Sequence, residues 1–278
     1  MAGGKEVIMH NVVFDIEVIH NPEGPEFTVQ LDGREQTVGW QLAHFLGISV
    51  ACTYDPEKDE FKDWLQGEAY SLLRYLRSFE QVIGFNSFRF DYQVLGGAVC
   101  QQLGLSHGAV SPKEWFAGKT VDMMLDFMDL KRHRIGLENL CQATLGLQER
   151  KLMEGEYAPQ AWASGLKRET IVYCRDDVRK TWELFQAAQR GELSWRPRNR
   201  NPEPLVDLRP MRRDGEGQAV EPATDPLALR QTDHPHTEGA EHEHRRSNHP
   251  AGTGTDARPA GRDGHRGIGA GQPERRPD

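Results

Sequence analysis

The chain has 278 residues, a formal net charge of −8, 27% charged and 37% apolar residues, a length that admits one large domain or two small ones. The acidic balance argues mildly against a large duplex-binding surface, which is more often basic, although carboxylates gathered around bound cations change that balance locally. No stretch approaches the about 18 apolar residues of a membrane span. The start `MAGGKEVIMH` lacks a long apolar core, and Cys52, Cys100, Cys141 and Cys174 form no C-x-x-C pair, so a cytoplasmic protein with free buried thiols and no membrane partner is expected.

In chain order, `VVFDIEV` (12–18) reads as a buried strand by its β-branched content and length. It carries Asp15 and Glu17 one residue apart, and successive strand side chains alternate, so both carboxylates share a face. Two like charges there repel, and burying them without partners costs several kcal/mol, on the order of the price of isolated buried charge. `FTVQLDGREQTVGW` predicts a hairpin across Asp32-Gly33, within residues 19–45, which read as an insertion between the first two strands. `LGISVACTYD` and `EFKDWL` predict two further strands with a turn at Asp55-Pro56. `EAYSLLRYLRSF` predicts a helix with Leu72, Leu73 and Leu76 on one face, and `QVIGFN` a short buried strand ending at Asn86.

From Phe90, `FDYQVLGGAVCQQLG` predicts a helix weakened by Gly96-Gly97. Those glycines follow the helix start, so they make no phosphate-binding loop. `KTVDMMLDF` predicts a strand, `LENLCQATLG` a helix capped by Gly146, and Lys167–Gln189 a long helix with an apolar stripe of Ile171, Cys174, Val178, Trp182 and Phe185. After Trp195 there is no aromatic residue; from Arg200 onward come ten of the sixteen Pro, six of the eleven His, twelve Arg and no Lys. Such a segment buries too little apolar surface to offset its ordering entropy, so 196–278 is expected to be a disordered Pro/Gly/Arg/His-rich tail. The body keeps 22 basic against 28 acidic residues. Strands with interleaved helices make residues 1–195 an α/β domain, a central mixed β-sheet flanked by helices.

Four acids stand out. Asp15 and Glu17 share a strand face; Asp91 opens a helix; Asp177 lies one turn after Tyr173 on the last helix, and that i, i+4 spacing sets both on one face. Asp176 lacks the Tyr spacing. No Lys or Arg is placed to serve all four acids, and divalent cations with oxygen ligands answer that need. Carboxylates holding two ions about 3.5–4 Å apart form a clamp for in-line displacement at phosphorus. Asp122, Asp126 and Asp129 read instead as solvated strand-end or capping residues, and `KRHR` (131–134) as a solvated loop or a phosphate grip. His20, His44, His107 and His133 show no zinc-ligand spacing.

`FDIEV`, `GFNSFRFD` and `YCRDD` resemble, in order and context, the three motifs of DEDDy-type 3′→5′ exonucleases on the ribonuclease H-like fold. `GLENLCQATLG` and `APQAWASG…IVYCRDDV` are similar to the prokaryotic branch related to the proofreading domain of family-B DNA polymerases, so the likeness spans about residues 10–190. The resemblance implies a metal-dependent 3′→5′ exonuclease acting on a single-stranded or frayed nucleic-acid end with two divalent cations, Mg²⁺ or Mn²⁺. It implies that Asp15, Glu17 and Asp177 ligate the ion holding the attacking water. Asp15 bridges to a second ion, which Asp91 supports. Tyr173 orients the water, being a poor base with an ordinary pKa near about 10; Asn86 reaches the substrate phosphate or sugar; Phe14 and Ile16 offer backbone contacts or stack on the terminal base. One departure is Val18, where the first motif usually carries Thr or Ser. A nucleic-acid-binding module without catalysis, or a ribonuclease H-like endonuclease, are the rival readings.

Overall fold

Why the first strand tolerates two carboxylates follows from where it lies. The computed structural model describes residues 10–21, 27–31, 33–147 and 153–220, all within one compact unit. The elements run β1 (Asn11–Val18), β2 (Thr28–Leu31), β3 (Arg34–Thr37), β4 (Ile48–Asp55), β5 (Glu60–Trp64), α1 (Ala69–Arg77), β6 (Gln81–Gly84), α2 (Asp91–Leu103), α3 (Pro112–Trp115) and β7 (Thr120–Asp122). They continue with α4 (Met123–Lys131), α5 (Leu137–Leu145), α6 (Ala158–Ala163), α7 (Lys167–Arg190), β8 (Ser194–Trp195), β9 (Glu203–Pro204), β10 (Arg212–Arg213) and β11 (Ala219–Val220).

Seven strands form one sheet in the order β11-β10-β7-β6-β1-β4-β5. β1 is central, parallel to β6 and antiparallel to β4, and β7 continues the parallel run beside β6. Helices cover both faces, a mixed α/β layering consistent with the ribonuclease H-like fold. On one face Phe14, Ile16 and Val18 pack with Leu72, Leu73 and Leu76 of α1 and with Val94, Leu95 and Val99 of α2. On the other, Val13 and Cys52 pack with Leu140 of α5 and with Cys174 and Val178 of α7. Strand alternation therefore turns Asp15 and Glu17 toward α7, with Val13.

The β1–β4 register breaks at the end of β1: Glu17 lies opposite Val50, but Val18 lies opposite Ile48. Ser49 is the extra residue of a β-bulge, a feature over-represented beside active sites. The bulge reverses the alternation on β4. Val50 and Cys52 belong to the α7 face, whereas Ile48 joins Val18 on the α1/α2 face. Val18 is buried there, away from the carboxylates, and an apolar residue suits that place better than a hydroxyl.

Most expected elements are present. β2 and β3 pair as the hairpin across Gly33, which takes a left-handed φ of +73°, and they form a separate two-stranded sheet inside the 19–45 insertion. α5 ends on Gly146 and α7 on Gly191, both left-handed caps. Gly96-Gly97 lies inside α2 because the helix is closely approached: a Cβ on Gly97 would stand 1.8 Å from the His44 carbonyl oxygen, and one on Gly96 2.8 Å from that of Val110.

Two expectations are corrected. `KTVDMMLDF` is not one strand: β7 stops at Asp122, whose carboxylate caps α4 by accepting from the N–H groups of Met124 and Leu125. The tail does not begin at residue 196. Residues 196–220 are folded: β10 pairs with β7 and extends the main sheet, and Leu205, Leu208 and Arg213 are buried. The remainder of the expected tail, 221–278, lies outside the described residues.

Candidate active site

Each acid is delivered by a different device. Asp15 and Glu17 sit on the α7-facing side of the central strand. Asp91 occupies the first turn of α2, where the positive end of the helix dipole favours a carboxylate. Tyr173 and Asp177 lie one turn apart on α7 and are buried with it. α7 is held in rotation by Arg175, whose Nε and Nη2 donate to the two oxygens of Asp63 on β5 at 2.7 and 2.6 Å. That bidentate geometry adds orientation as well as energy.

The loop leading to Asp91 is organised by Asp122. Its fully buried carboxylate accepts from the N–H groups of Asn86 and Phe88, both at 2.9 Å, as well as from the first turn of α4. Asn86 takes a left-handed φ of +67°, a conformation Asn tolerates better than most residues. Its side-chain oxygen accepts from Arg134 Nη2 at 3.3 Å.

The carboxylates act on one another. Glu17 is pushed well above its ordinary 4.5, first by burial and then by Asp15, Asp177, Asp91 and Cys52. Asp91 is pushed well above its ordinary 3.8 by burial, then by Asp15 and Asp122, against the opposing effect of its own and Ile16's backbone N–H groups. The Tyr173 phenol is raised strongly, by burial and then by Asp177, Glu17 and Asp15, and its hydroxyl hydrogen-bonds Asp177. So Asp15, Glu17, Asp91, Tyr173 and Asp177, from three separate parts of the chain, converge on one electrostatic neighbourhood. Asp176 lies elsewhere, paired with Lys180 at 2.7 Å.

The donor set fits divalent cations. Buried carboxylates that repel one another are relieved by a shared positive ion. Asp91 Oδ1 is buried and accepts no hydrogen bond, which leaves a coordination position. Single ligand atoms of Asp15, Glu17 and Cys174 all lie within 4.8 Å of one another.

Other candidates are placed differently. The Phe14 and Ile16 side chains point to the opposite face and are buried in the core, Phe14 stacked on Tyr92 with ring centroids 5.6 Å apart. Stacking on a terminal base is therefore closed to both, and only their backbone borders the site. Asp122 and Asp126 are buried rather than solvated: Asp122 is the cap and loop anchor, and Asp126 pairs with Arg213. Asp129 is more exposed and also pairs with Arg213. `KRHR` is not a bare loop: Lys131 lies over the Trp195 ring, His133 packs against Trp195 with the rings tilted, and Arg134 donates to Asn86.

Sequence reasoning placed Cys174 in the apolar stripe of α7 and missed it as a neighbour of the acids. It also missed Asp122's anchoring role and Gly155, where a Cβ would lie 3.4 Å from the Tyr173 hydroxyl. Among the described residues no helix is long and apolar enough to cross a membrane.

No protein-family model and no curated protein matches this sequence. Among solved structures the chain is similar to the family B DNA polymerase from the hyperthermophilic archaeon Pyrobaculum calidifontis, at 16% identity over 64% of this chain and with a TM-score of 0.43. The match covers 24% of that polymerase, so this chain corresponds to about a quarter of its length.

Proposed function

We propose that the protein is a metal-dependent 3′→5′ exonuclease of the DEDDy type, removing nucleotides from a single-stranded or frayed nucleic-acid end. The observation that carries this reading is the convergence of Asp15, Glu17, Asp91 and Asp177 with Tyr173, in which burial and the neighbouring acids raise Glu17, Asp91 and Tyr173. Asp15, Glu17, Asp91 and Asp177 would hold two divalent cations, Mg²⁺ or Mn²⁺, which supply an activated water and stabilise the leaving 3′-oxygen. Tyr173 stays protonated at neutral pH, because burial and three carboxylates hold its phenol far above the ordinary value. It therefore orients a water by hydrogen bonding and does not act as the base. Asn86, fixed by Arg134 and by the Asp122 anchor, presents its amide toward the substrate backbone.

The test is release of 3′-terminal nucleotide from labelled single-stranded DNA and RNA oligomers with Mg²⁺ or Mn²⁺. Quenching by EDTA and sparing of circular substrate are expected. Removing a supporting residue of a metal site typically costs about 10–100-fold, so losing the ligand in Asp177→Ala should cost at least about 100-fold. Wild-type rates in purified Asp177→Ala protein would sink the mechanism. Tight oligomer binding without release would favour the non-catalytic binding module, and cleavage of the circle the endonuclease.

A further inference from the structure

Every acid of the cluster is used by the reading above, but one buried nucleophile beside it is not. Cys174 has no exposed surface, and its thiol faces Asp15: Sγ lies 3.7 Å from Asp15 Oδ2 and 3.6 Å from its carbonyl oxygen. Cys52, the residue directly opposite Asp15 on β4, is among the neighbours that hold the Cys174 thiol above its ordinary value, after burial. A third donor, Glu17, brings a ligand atom within 4.8 Å of both Cys174 and Asp15. Oxygen-only cages select hard cations such as Mg²⁺, whereas a thiolate in the set selects thiophilic ones.

The separations can be compared with a real coordination sphere. With metal–sulfur near about 2.3 Å and metal–oxygen near about 2.0–2.2 Å, tetrahedral zinc sets its sulfur and oxygen ligands about 3.5–3.6 Å apart. The Cys174–Asp15 pair at 3.7 Å already matches. Glu17 needs to close by about 1 Å from the outer limit of 4.8 Å, within reach of a rotamer adjustment. Three protein ligands with one position left open is also the ligand count of zinc sites that admit water or substrate. Independently, Asp91 is buried, keeps Oδ1 without a hydrogen-bond partner and feels Asp15 as its strongest charged neighbour, so an unpartnered buried carboxylate oxygen borders the same cluster.

We propose that Cys174, with Asp15 and Glu17, forms a mixed sulfur–oxygen site for a thiophilic divalent cation of the zinc class, and that such an ion competes with Mg²⁺ or Mn²⁺ for the two carboxylates. The proposal rests on reading this cluster as a cation site and adds its selectivity: zinc-class ions bind more tightly than the hard ions and suppress hydrolysis supported by them.

The probe is Cd²⁺, whose bond to a thiolate gives an ultraviolet charge-transfer band, titrated into the full-length protein. One band at one equivalent is expected in the wild type. Cys174→Ser, nearly isosteric, abolishes it, while Asp15→Asn weakens Cd²⁺ binding by about tenfold or more, as loss of a site residue does. Cys100→Ala, distant on α2, leaves it unchanged. If Cys174→Ser fails to fold, the Asp15→Asn titration decides alone. A band that persists in Cys174→Ser, or Cd²⁺ affinity unchanged in Asp15→Asn, overturns the proposal. Nucleotide release from the wild type with no band removes this inference and keeps the nuclease. A band dependent on Cys174 and Asp15 in a protein that releases nothing keeps the inference and removes the nuclease.

Discussion

Glu17 and Asp91 are acids that the fold prefers to keep protonated. Their pKa values lie above the unfolded ones because of burial and of one another's neighbours. The folded state then binds more protons than the unfolded chain, so stability is largest below the ordinary carboxylate range and falls as pH rises through the raised values. Without metal, Glu17→Gln should therefore gain thermal stability over the wild type, the gain growing from pH 5 to pH 8. Relief of the buried charge and of its repulsion is worth about 2–4 °C in Tm for each kcal/mol in a domain of this size. Saturating Mg²⁺ should reverse the order by binding only the wild-type fold tightly. Equal melting temperatures of the two proteins at both pH values in EDTA would show that neither burial nor the neighbouring carboxylates raise Glu17. At this scale the same-face pair Asp15/Glu17 and the Tyr173/Asp177 spacing were readable from sequence, since strand and helix periods fix side-chain direction. Cys174 was not, because only packing shows which neighbour a stripe residue faces. Phe14 and Ile16 failed for the converse reason: proximity in sequence to an acid on a strand means the opposite face.

At the scale of elements, α2 sits where it does because two of its residues have no side chain. A methyl on Gly97 would fall inside the van der Waals envelope of the His44 carbonyl, on a 3₁₀ segment spanning Trp40–Phe45. Helix propensity alone favours Ala over Gly by about 1 kcal/mol. Overpacking of about 1–3 kcal/mol or more outweighs that gain, so Gly97→Ala should lower the denaturation midpoint in urea. Because α2 begins at Asp91, the same substitution should also weaken metal-induced stabilisation, measured as the Mg²⁺-dependent shift in Tm. The glycines read as helix weakeners in the sequence, and only the packed neighbour shows them to be contact sites. The same limit misassigned 119–127: apolar, β-prone residues read as a continuous strand, while Asp122 starts a helix by accepting from the N–H groups of Met124 and Leu125, with its carboxylate held in place by those of Asn86 and Phe88, distant in sequence.

For the whole molecule, one buried arginine ties residues 196–220 to the rest of the described fold. Arg213, 1% exposed at its side chain, pairs with the equally buried Asp126 and with Asp129. Even so, burial outweighs the guanidinium and pushes Asp126 up to about 7. Removing one partner of a buried pair costs about 3–5 kcal/mol, so Arg213→Ala should lose that much in chemical denaturation. The loss should be smaller at pH 6 than at pH 8, since a protonated Asp126 no longer carries an unpaired charge. A chain ending at residue 195 lacks Arg213 together with Leu205 and Leu208, and should melt well below the full chain. Composition misplaced this boundary because it averages: the segment is poor in aromatics and rich in Pro and Arg, yet a few anchors fold its first part.

The bulge at Ser49 gives this architecture a phase break. On the Cys52 side of it, β4 is in step with β1, and the carboxylates keep their facing. On the Ile48 side the step is reversed, so the strand enters from the insertion with the opposite parity. A one-residue change in length at this point is therefore taken up by Ile48 and its apolar neighbours and is not passed to Asp15. The sheet can accept a connection of odd or even length between its first two strands, which separates the evolution of the 19–45 insertion from the placement of the acids.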